Sequence, residues 1–170
     1  GQCRSVTLYA HRGVPWELPE NTVEGFQLAH ELGVDAIETD AHMTRDGVIV
    51  LSHDPSGTRM AGVLAEIRDL RFDEVRQWDL GFGLVDDRGR RPLLGRGYRV
   101  PSLEQALRDL PGVKFNVDAK QLGAGMCEAL VAVIRKLGAC DRVRIASFSQ
   151  LNLIRVRRMG YEGRQDWGMS

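Results

Sequence analysis

Four short apolar runs in this chain end in, or lead directly into, ionisable side chains. The runs and the polar groups they carry are residues 6–10 with His11 and Arg12, residues 34–40 with Glu38 and Asp40, residues 48–52 with His53, and residues 113–120 with Asn116, Asp118 and Lys120. Runs of this length predict buried strands. Parallel α/β folds collect their functional groups at the C-terminal ends of such strands. The repeated pattern therefore favours an enzyme with a mostly parallel sheet.

Helical patterns separate most of these strands. Apolar spacing and capping residues predict helices over residues 21–32, 102–110, 122–137 and 151–159, and a fifth strand over residues 143–148. Asn21 is the expected N-cap of the first helix, with Glu24 as its capping-box partner, and Ser102 is the expected N-cap of the second. Asp46 and Gly47 predict a tight turn between the second and third strands.

Residues 54–100 interrupt this alternation. Gly, Arg and Asp are frequent there, and the segment lacks the apolar spacing of a βα unit. We expect an insertion with one or two short helices, in which residues 88–99 form a mobile basic loop. The whole chain, residues 1–170, is then a single domain.

Composition limits the classes of partner. Lys and Arg number 23, as do Asp and Glu, so the formal net charge is zero. A general attraction to nucleic acid or to an anionic membrane is therefore not encoded. No apolar run approaches the roughly 20 residues that a bilayer span needs. We expect a small-molecule partner, and the sequence leaves the oligomeric state open.

The cysteines bear on the cellular compartment. Cys3, Cys127 and Cys140 are odd in number, widely spaced and without a C-x-x-C motif, so neither a zinc site nor a disulfide framework is predicted. A Cys127–Cys140 disulfide is the less favoured alternative. The N-terminus shows no basic-then-apolar leader, which leaves a cytoplasmic protein or a secreted one with its leader removed. The cysteine pattern favours the cytoplasm.

Two predicted strands bring acids together. Strand alternation puts Glu38 and Asp40 on one face of the second strand, and Asn116, Asp118 and Lys120 on one face of the fourth. If the strands share one barrel, three carboxylates converge, and their repulsion requires a cation between them or a retained proton. Oxygen ligands select a hard metal, Mg²⁺ or Ca²⁺. A solvated acidic pair at a strand end is the plain alternative.

Two histidines end two further strands. Histidine changes charge near neutral pH, which suits His11 and His53 to act as general acid and general base. Arg12 adjoins His11, and together with the acidic cluster and Lys120 the set suits an anionic, phosphate-bearing substrate. A lone histidine at a strand end is as often structural. The pattern gives no role in the reaction to His30, His42, Asp46 or Asp54.

A longer combined motif runs along most of the chain. It consists of His11-Arg12-Gly13, Pro19-Glu20-Asn21-Thr22, Glu38-Thr39-Asp40, Thr44-Arg45-Asp46-Gly47, His53-Asp54, Pro101-Ser102-Leu103-Glu104, Asn116-Val117-Asp118-Ala119-Lys120 and Ser147-Phe148. This string closely resembles the glycerophosphodiester phosphodiesterase family, up to about residue 155. The resemblance implies an α/β fold, a TIM (β/α)8 barrel with a small insertion after its third strand, which matches residues 54–100.

The resemblance also implies a reaction and site roles. The implied activity is metal-dependent hydrolysis of glycerophosphodiesters to glycerol 3-phosphate and an alcohol. The implied roles are acid/base catalysis by His11 and His53, phosphate binding by Arg12 and Lys120, and binding of one divalent cation, Mg²⁺ or Ca²⁺, by Glu38, Asp40 and Asp118. Glu20 and Asn21 would shape the site and cap the helix.

Two features depart from the family pattern. Asp118 stands where the family usually has a glutamate, one methylene longer, which would pull the metal inward, add a bridging water or weaken metal binding. The second departure is length, because a complete barrel takes about 250 residues and this chain of 170 residues supplies five core strands. We expect the last strands of the barrel to be missing from this sequence.

The sequence leaves two other functions open. One is a phospholipase D-like or lysophospholipid-cleaving enzyme on the same fold. The other is a catalytically inactive barrel that binds phosphodiesters or a protein partner.

Overall fold

The computed structural model describes residues 7–121, 124–146 and 150–161. Predictions that involve Cys3, Val6, Leu122, residues 147–148 and the tail beyond residue 161 lie outside the described residues.

Strands and helices follow one another in nearly the predicted order. The strands are β1 (Tyr9–His11), β2 (Ala36–Met43), β3 (Ile49–Leu51), β4 (Ser56–Gly57), β5 (Val63–Glu66), β6 (Phe115–Ala119) and β7 (Val143–Ala146). The α-helices are α1 (Val23–Glu31), α2 (Thr58–Ala61), α3 (Phe72–Val75), α4 (Leu103–Asp109), α5 (Ala124–Lys136) and α6 (Gln150–Arg158). Short 3-10 turns cover Ile67–Asp69 and Leu80–Gly83.

The main sheet is mostly parallel, as predicted. Its strands lie in the order β1-β2-β6-β7, with every neighbouring pair parallel, and β3 pairs with the far end of β2. In the described residues the sheet is open, with β1 and β7 at its two edges. The register sets Glu38 of β2 beside His11 on one side and Asn116 on the other. β2, which carries Glu38 and Asp40, therefore lies between the two strands that carry His11 and Asn116.

The third strand does not run parallel to its neighbours, so the prediction that four strands present their groups from one parallel edge is wrong for β3. The second strand continues to Met43, three residues past its predicted end, and the chain then turns back so that Met43 pairs with Ile49. Thr44 and Asp46 close the turn, because the Thr44 hydroxyl donates to the Asp46 carboxylate at 2.6 Å. His53 consequently reaches the site from a returning hairpin strand.

The start of α1 also differs from the prediction. The N-cap is Thr22, whose hydroxyl accepts a hydrogen bond from the Gly25 N–H at 3.1 Å, and not Asn21. Asn21 has a left-handed backbone (φ 56°), and its side-chain carbonyl accepts a hydrogen bond from the Thr39 hydroxyl at 2.7 Å. Asn21 therefore ties the loop after β1 to β2. The predicted N-cap Ser102 is confirmed.

The apolar residues form two separate clusters. The larger lies between the parallel sheet and helices α1, α4 and α5, and at its centre Phe26 and Phe115 pack edge to face with ring centroids 5.5 Å apart. The smaller belongs mainly to the insertion and consists of Val50, Ile67, Val75, Trp78, Leu80 and Val100. Burial of both clusters from water supplies the main favourable term for folding.

The insertion at residues 54–100 contains no βα unit, which confirms the prediction, but it holds more regular structure than one or two helices. The antiparallel pair β4–β5 joins α2, α3 and the two 3-10 turns. Residues 88–99 are irregular, and two of their arginines donate to backbone carbonyl oxygens: Arg91 to that of Phe82, and Arg99 to those of Gln77 and Trp78. Their mobility stays a prediction.

Two further observations concern the compartment and the membrane. Cys127 and Cys140 are free thiols. Within the described ranges, every helix is too short or too polar to cross a bilayer.

Candidate active site

A cavity of about 370 Å³ opens at the ends of β1 and β6, beside the middle of β2 and the returning hairpin. It is lined by His11, Glu38, Thr39, Asp40, His53, Asn116, Asp118, Lys120 and Ala146. Six of the seven residues that the sequence singled out are in this set. The seventh, Arg12, reaches it through Asp40, with its Nε 3.8 Å from Asp40 Oδ2.

The acidic wall of the cavity comes from strand register. On β2 and β6, Asp40 lies directly opposite Asp118, and Glu38 lies opposite Asn116. Ile37 and Val117, the next positions along the strands, are fully buried in the larger core. The alternation predicted from the sequence therefore holds for these residues, and burial of Ile37 and Val117 fixes which face of the two strands turns to the cavity.

Two cations lie against this wall. Lys120 Nζ is 3.0 Å from Asp118 Oδ2 and 3.5 Å from Asp40 Oδ1. Asp40 is only 4% exposed. Burial of a carboxylate is costly unless its charge is compensated, and the contacts with Lys120 and Arg12 provide that compensation for Asp40.

The loop after β1 holds Arg12 in an unusual backbone conformation. Arg12 has φ 62° and Gly13 has φ 91°, two successive residues in the left-handed region. The Arg12 N–H donates to the Glu38 carbonyl at 2.7 Å, and its own carbonyl accepts from the Asn21 N–H at 2.9 Å. A non-glycine residue in this region costs on the order of 1–3 kcal/mol and persists where its surroundings impose it, as often at functional sites.

His53 lines the cavity and pairs with Asp54, a residue to which the sequence assigned no role in the reaction. His53 Nδ1 lies 2.9 Å from Asp54 Oδ1. Burial alone would raise the pKa of Asp54, but hydrogen bonds from Arg59 and His53 outweigh it and lower that pKa. An ionised carboxylate only accepts hydrogen bonds, so Nδ1 is the protonated ring atom. His11 is exposed at the end of β1 and shares the cavity.

His42 is a second residue that sequence reasoning left without a role. It is buried, and its Nε2 lies 3.2 Å from the His53 carbonyl oxygen. Burial lowers the pKa of His42, so the neutral ring donates from Nε2 and anchors the backbone of the neighbouring histidine. The signal that could have found it is the alternation along β2, which places position 42 on the same face as Glu38 and Asp40.

Glu20 and Arg59 complete the surroundings of the cavity. Glu20 is buried, and the Arg59 guanidinium binds both of its carboxylate oxygens at 2.8 Å. Arg59 lies in the insertion, 39 residues away in sequence, and periodicity carries no signal for such a pairing. The resemblance placed Glu20 in the site without naming its partner.

The chain matches one family along most of its length. Residues 11–158 fit the model of the glycerophosphoryl diester phosphodiesterase family. The chain belongs to this family. The resemblance inferred from the sequence motifs is therefore confirmed.

Curated relatives carry names from the same family. The protein is 36% identical over 151 residues to a Mycobacterium tuberculosis protein named probable glycerophosphodiester phosphodiesterase 2, and 31% identical over 155 residues to the glycerophosphodiester phosphodiesterase of Caldanaerobacter subterraneus. Each match covers 88% of this chain. The chain spans 51% and 61% of the lengths of those two relatives.

Solved structures of family members share the fold. The glycerophosphodiester phosphodiesterase of Agrobacterium tumefaciens aligns with a TM-score of 0.79 at 27% identity, over 94% of this chain and 65% of that structure. An Oleispira antarctica phosphodiesterase in complex with its product sn-glycerol-3-phosphate aligns with a TM-score of 0.77 at 24% identity, over 92% of this chain and 63% of that structure. The predicted α/β fold of TIM-barrel type is confirmed.

The family generally depends on a divalent cation, and the cavity meets the chemical requirement in part. Asp40 Oδ2 and Asp118 Oδ1 are buried oxygens without a hydrogen bond, and Glu38 lines the same cavity. Such oxygen donors suit a hard cation. In the part of the chain that the structure describes, no three His, Cys, Asp or Glu side chains come close enough together to hold a metal, and Lys120 lies beside both aspartates.

Proposed function

We propose that this chain supplies the reacting residues of a metal-dependent phosphodiesterase that hydrolyses glycerophosphodiesters to glycerol 3-phosphate and an alcohol. The observation that carries the proposal is the shared cavity, in which two histidines face two aspartates, a glutamate and a lysine. Family membership supports the reaction class. The glycerol-3-phosphate bound to the Oleispira antarctica enzyme is the product that this reaction would release.

In this proposal Arg12 and Lys120 bind the phosphate group of the substrate. Both cations already lie beside Asp40, within 4 Å of its oxygens. They would neutralise the phosphoryl oxygens as negative charge builds up on them in the transition state. The family resemblance assigns a divalent cation, Mg²⁺ or Ca²⁺, to Glu38, Asp40 and Asp118, and such a cation would supply further neutralisation of negative charge.

His11 and His53 would transfer the protons. One histidine takes a proton from the nucleophile, which is water or a hydroxyl of the substrate, while that oxygen forms its bond to phosphorus. The other histidine gives a proton to the alkoxide oxygen as its bond to phosphorus breaks. The Nδ1 hydrogen bond to Asp54 leaves Nε2 as the atom of His53 that exchanges the proton.

Substitution of the two histidines tests the proposal. We expect His11→Ala and His53→Ala each to lower turnover of glycerophosphocholine by about 10²-fold or more, in the full-length protein with Mg²⁺ or Ca²⁺ present. His30→Ala is the matched control, because His30 is exposed on α1 away from the cavity and should leave turnover unchanged. Near-normal turnover in both cavity variants would rule out the assignment.

A second candidate is cleavage of lysophospholipids. It is supported by 34% identity over 113 residues, or 65% of this chain, to a human lysophospholipase D. Parallel assays of glycerophosphocholine and lysophosphatidylcholine separate the two activities. A preference for lysophosphatidylcholine would favour this alternative, since that substrate requires a groove for its acyl chain.

The inactive binding barrel is tested by calorimetry followed by a turnover assay. Binding of Ca²⁺ or Mg²⁺ with hydrolysis supports the enzyme, and binding without hydrolysis supports the inactive module.

We further propose a single domain with the insertion at residues 54–100, and a cytoplasmic location on the basis of the free thiols Cys127 and Cys140.

A further inference from the structure

Arg59 connects the two sides of the candidate site. Its Nη1 and Nη2 each donate to one carboxylate oxygen of Glu20 at 2.8 Å, and its Nε donates to Asp54 Oδ2 at 2.8 Å. One planar guanidinium therefore holds two carboxylates in fixed positions. The hydrogen bonds to Glu20, with those to Asp54, raise the pKa of Arg59 well above its usual value.

The first branch from Arg59 leads to His53. Asp54 accepts from Arg59 through Oδ2 and from His53 Nδ1 through Oδ1, so both of its oxygens are engaged in this branch. With Nδ1 protonated, the lone pair of the neutral imidazole is on Nε2. The position of Arg59 therefore bears on which ring nitrogen of His53 can accept a proton.

The second branch leads to Arg12. Glu20 Oε2 accepts from Arg59 at 2.8 Å and lies 3.4 Å from Arg12 Nη1. The nearly ideal bidentate pair with Arg59 leaves Glu20 only a long contact with Arg12, whose Nε lies near Asp40. Without Arg59, the buried Glu20 carboxylate would attract Arg12 more strongly and draw it away from the cavity.

We propose that Arg59 is a positioning residue that sets the proton-bearing nitrogen of His53 and the place of the Arg12 guanidinium at the same time. This inference rests on the roles proposed above for His53 and Arg12. It gives the insertion a function, since α2 packs on the smaller apolar cluster and carries Arg59 to Glu20 and Asp54. Gly57, just before α2, allows that packing, because a Cβ there would lie 3.0 Å from the Trp78 ring.

Removal of the guanidinium is the central test. We expect Arg59→Met, which keeps an unbranched apolar side chain, to lower kcat/KM between about 10-fold and 10²-fold in the full-length protein. Arg59→Lys should recover only part of the loss, because an ammonium group cannot form the bidentate pair and reach Asp54 as well. Arg71→Met is the matched control: Arg71 is an exposed arginine of the same insertion that pairs with Asp73, and this variant should match the unsubstituted protein.

The contacts of Arg59 with Asp54 and with Glu20 can also be removed one at a time while Arg59 stays in place. We expect Asp54→Asn to act mainly on kcat, through His53, and Glu20→Gln to act mainly on KM, through Arg12 and phosphate binding. These variants keep the proposal testable if Arg59→Met fails to fold. Equal effects of both on kcat and KM, or no effect of either, would contradict it.

A spectroscopic readout separates positioning from simple loss of folding. Nitrogen-15 NMR of the histidine rings, with His53 assigned from a His53→Asn sample, reports which nitrogen carries the proton. We expect Nδ1–H in the unsubstituted protein and a mixture of the two tautomers in Arg59→Met and Asp54→Asn, with unchanged circular dichroism. Normal kcat/KM together with Nδ1–H in Arg59→Met would overturn the inference, while full activity of His53→Ala would instead overturn the proposed function.

Discussion

The parallel sheet and the insertion support the same cavity in different ways. On β2 and β6, Asp40 and Asp118 lie directly opposite each other in a continuous backbone ladder, and the strands bury Phe115 and Val117 behind them. In the insertion, Arg59 lies on α2, a helix of four residues, and reaches the site through side-chain hydrogen bonds. The sheet fixes its groups by backbone geometry, and the insertion fixes its group by a few side-chain contacts.

The two regions also bury separate apolar clusters. The larger cluster packs helices on the sheet, and the smaller one holds the insertion together around Trp78 and Ile67. A short helix has little stability of its own and depends on packing for its position. We therefore expect substitutions in the larger cluster to act mainly on the free energy of unfolding, and substitutions in the smaller one to act mainly on activity.

The largest effect on stability is expected in the sheet core. Phe115 is fully buried and packs edge to face against Phe26. Phe115→Ala should lower the free energy of unfolding by about 3–5 kcal/mol, through lost burial and the cavity left behind. Urea unfolding measures it, and Phe72→Ala, a half-buried phenylalanine of the insertion, is the control with a smaller expected loss. A loss below about 1 kcal/mol at Phe115 would contradict the assignment of the main core.

The next effect concerns the left-handed loop beside Arg12. Gly13 has φ 91°, and a Cβ there would lie 2.9 Å from the Gly25 backbone carbon. We expect Gly13→Ala to cost about 2–3 kcal/mol in stability, from backbone strain and overlap together. Gly33→Ala is the matched control, since Gly33 has φ 89° with open space around it, and should cost about 1 kcal/mol. Equal losses would show that close packing against Gly25 is unimportant.

The groups on the sheet could be predicted from the sequence because strands have a fixed period. Alternation alone placed Glu38 with Asp40, and Asn116 with Asp118 and Lys120, and the structure brings all five to one cavity. The same reasoning failed where backbone direction depends on a turn. The sequence predicts that β2 ends at residue 40, so it does not predict the antiparallel pairing of β2 with β3 that brings His53 to the cavity. The turn at Asp46-Gly47 is predicted correctly.

The periodicity of strands and helices does not predict which side chains of the insertion contact each other. Asp54 and Arg59 meet through loop geometry that depends on the close approach of Gly57, just before α2, to Trp78, and no local sequence pattern encodes that contact. The predicted N-cap of α1, Asn21, lies one residue before the observed N-cap, Thr22, for a similar reason. Asn21 has good capping chemistry, but its side chain bonds to Thr39 across the loop, which only the tertiary fold reveals.

A third prediction compares the regions at matched stability. Trp78→Phe in the insertion and Phe115→Leu in the sheet core should each cost about 1–2 kcal/mol, since both reduce a buried ring. Because Trp78 packs against Gly57 beside α2, we expect only Trp78→Phe to lower kcat/KM, by a few-fold. Steady-state assays of both variants with glycerophosphocholine, beside urea unfolding, provide the measurement. A similar fall in activity for both would show that the insertion has no special link to the site.

The smallest effect is the acid dependence of two carboxylates, one in each region. Burial alone would raise the pKa of Asp54, but hydrogen bonds from Arg59 and His53 outweigh burial and lower that pKa. Hydrogen bonds from Lys136 and Arg108 lower the pKa of Glu104. A carboxylate with a lowered pKa in the folded state stabilises the fold above its ordinary pKa, and this contribution is lost as the pH falls through the folded-state value.

Since the ordinary values are 3.8 for Asp54 and 4.5 for Glu104, both contributions should be present at pH 7 and disappear below those values. We expect Asp54→Asn to cost under about 1 kcal/mol at pH 7, and Glu104→Gln to cost less, because Glu104 is the more solvated of the two. Urea unfolding at pH 7 and pH 3 measures both differences. A destabilisation that stayed equal at the two pH values would mean that packing, and not charge, links Asp54 to Arg59.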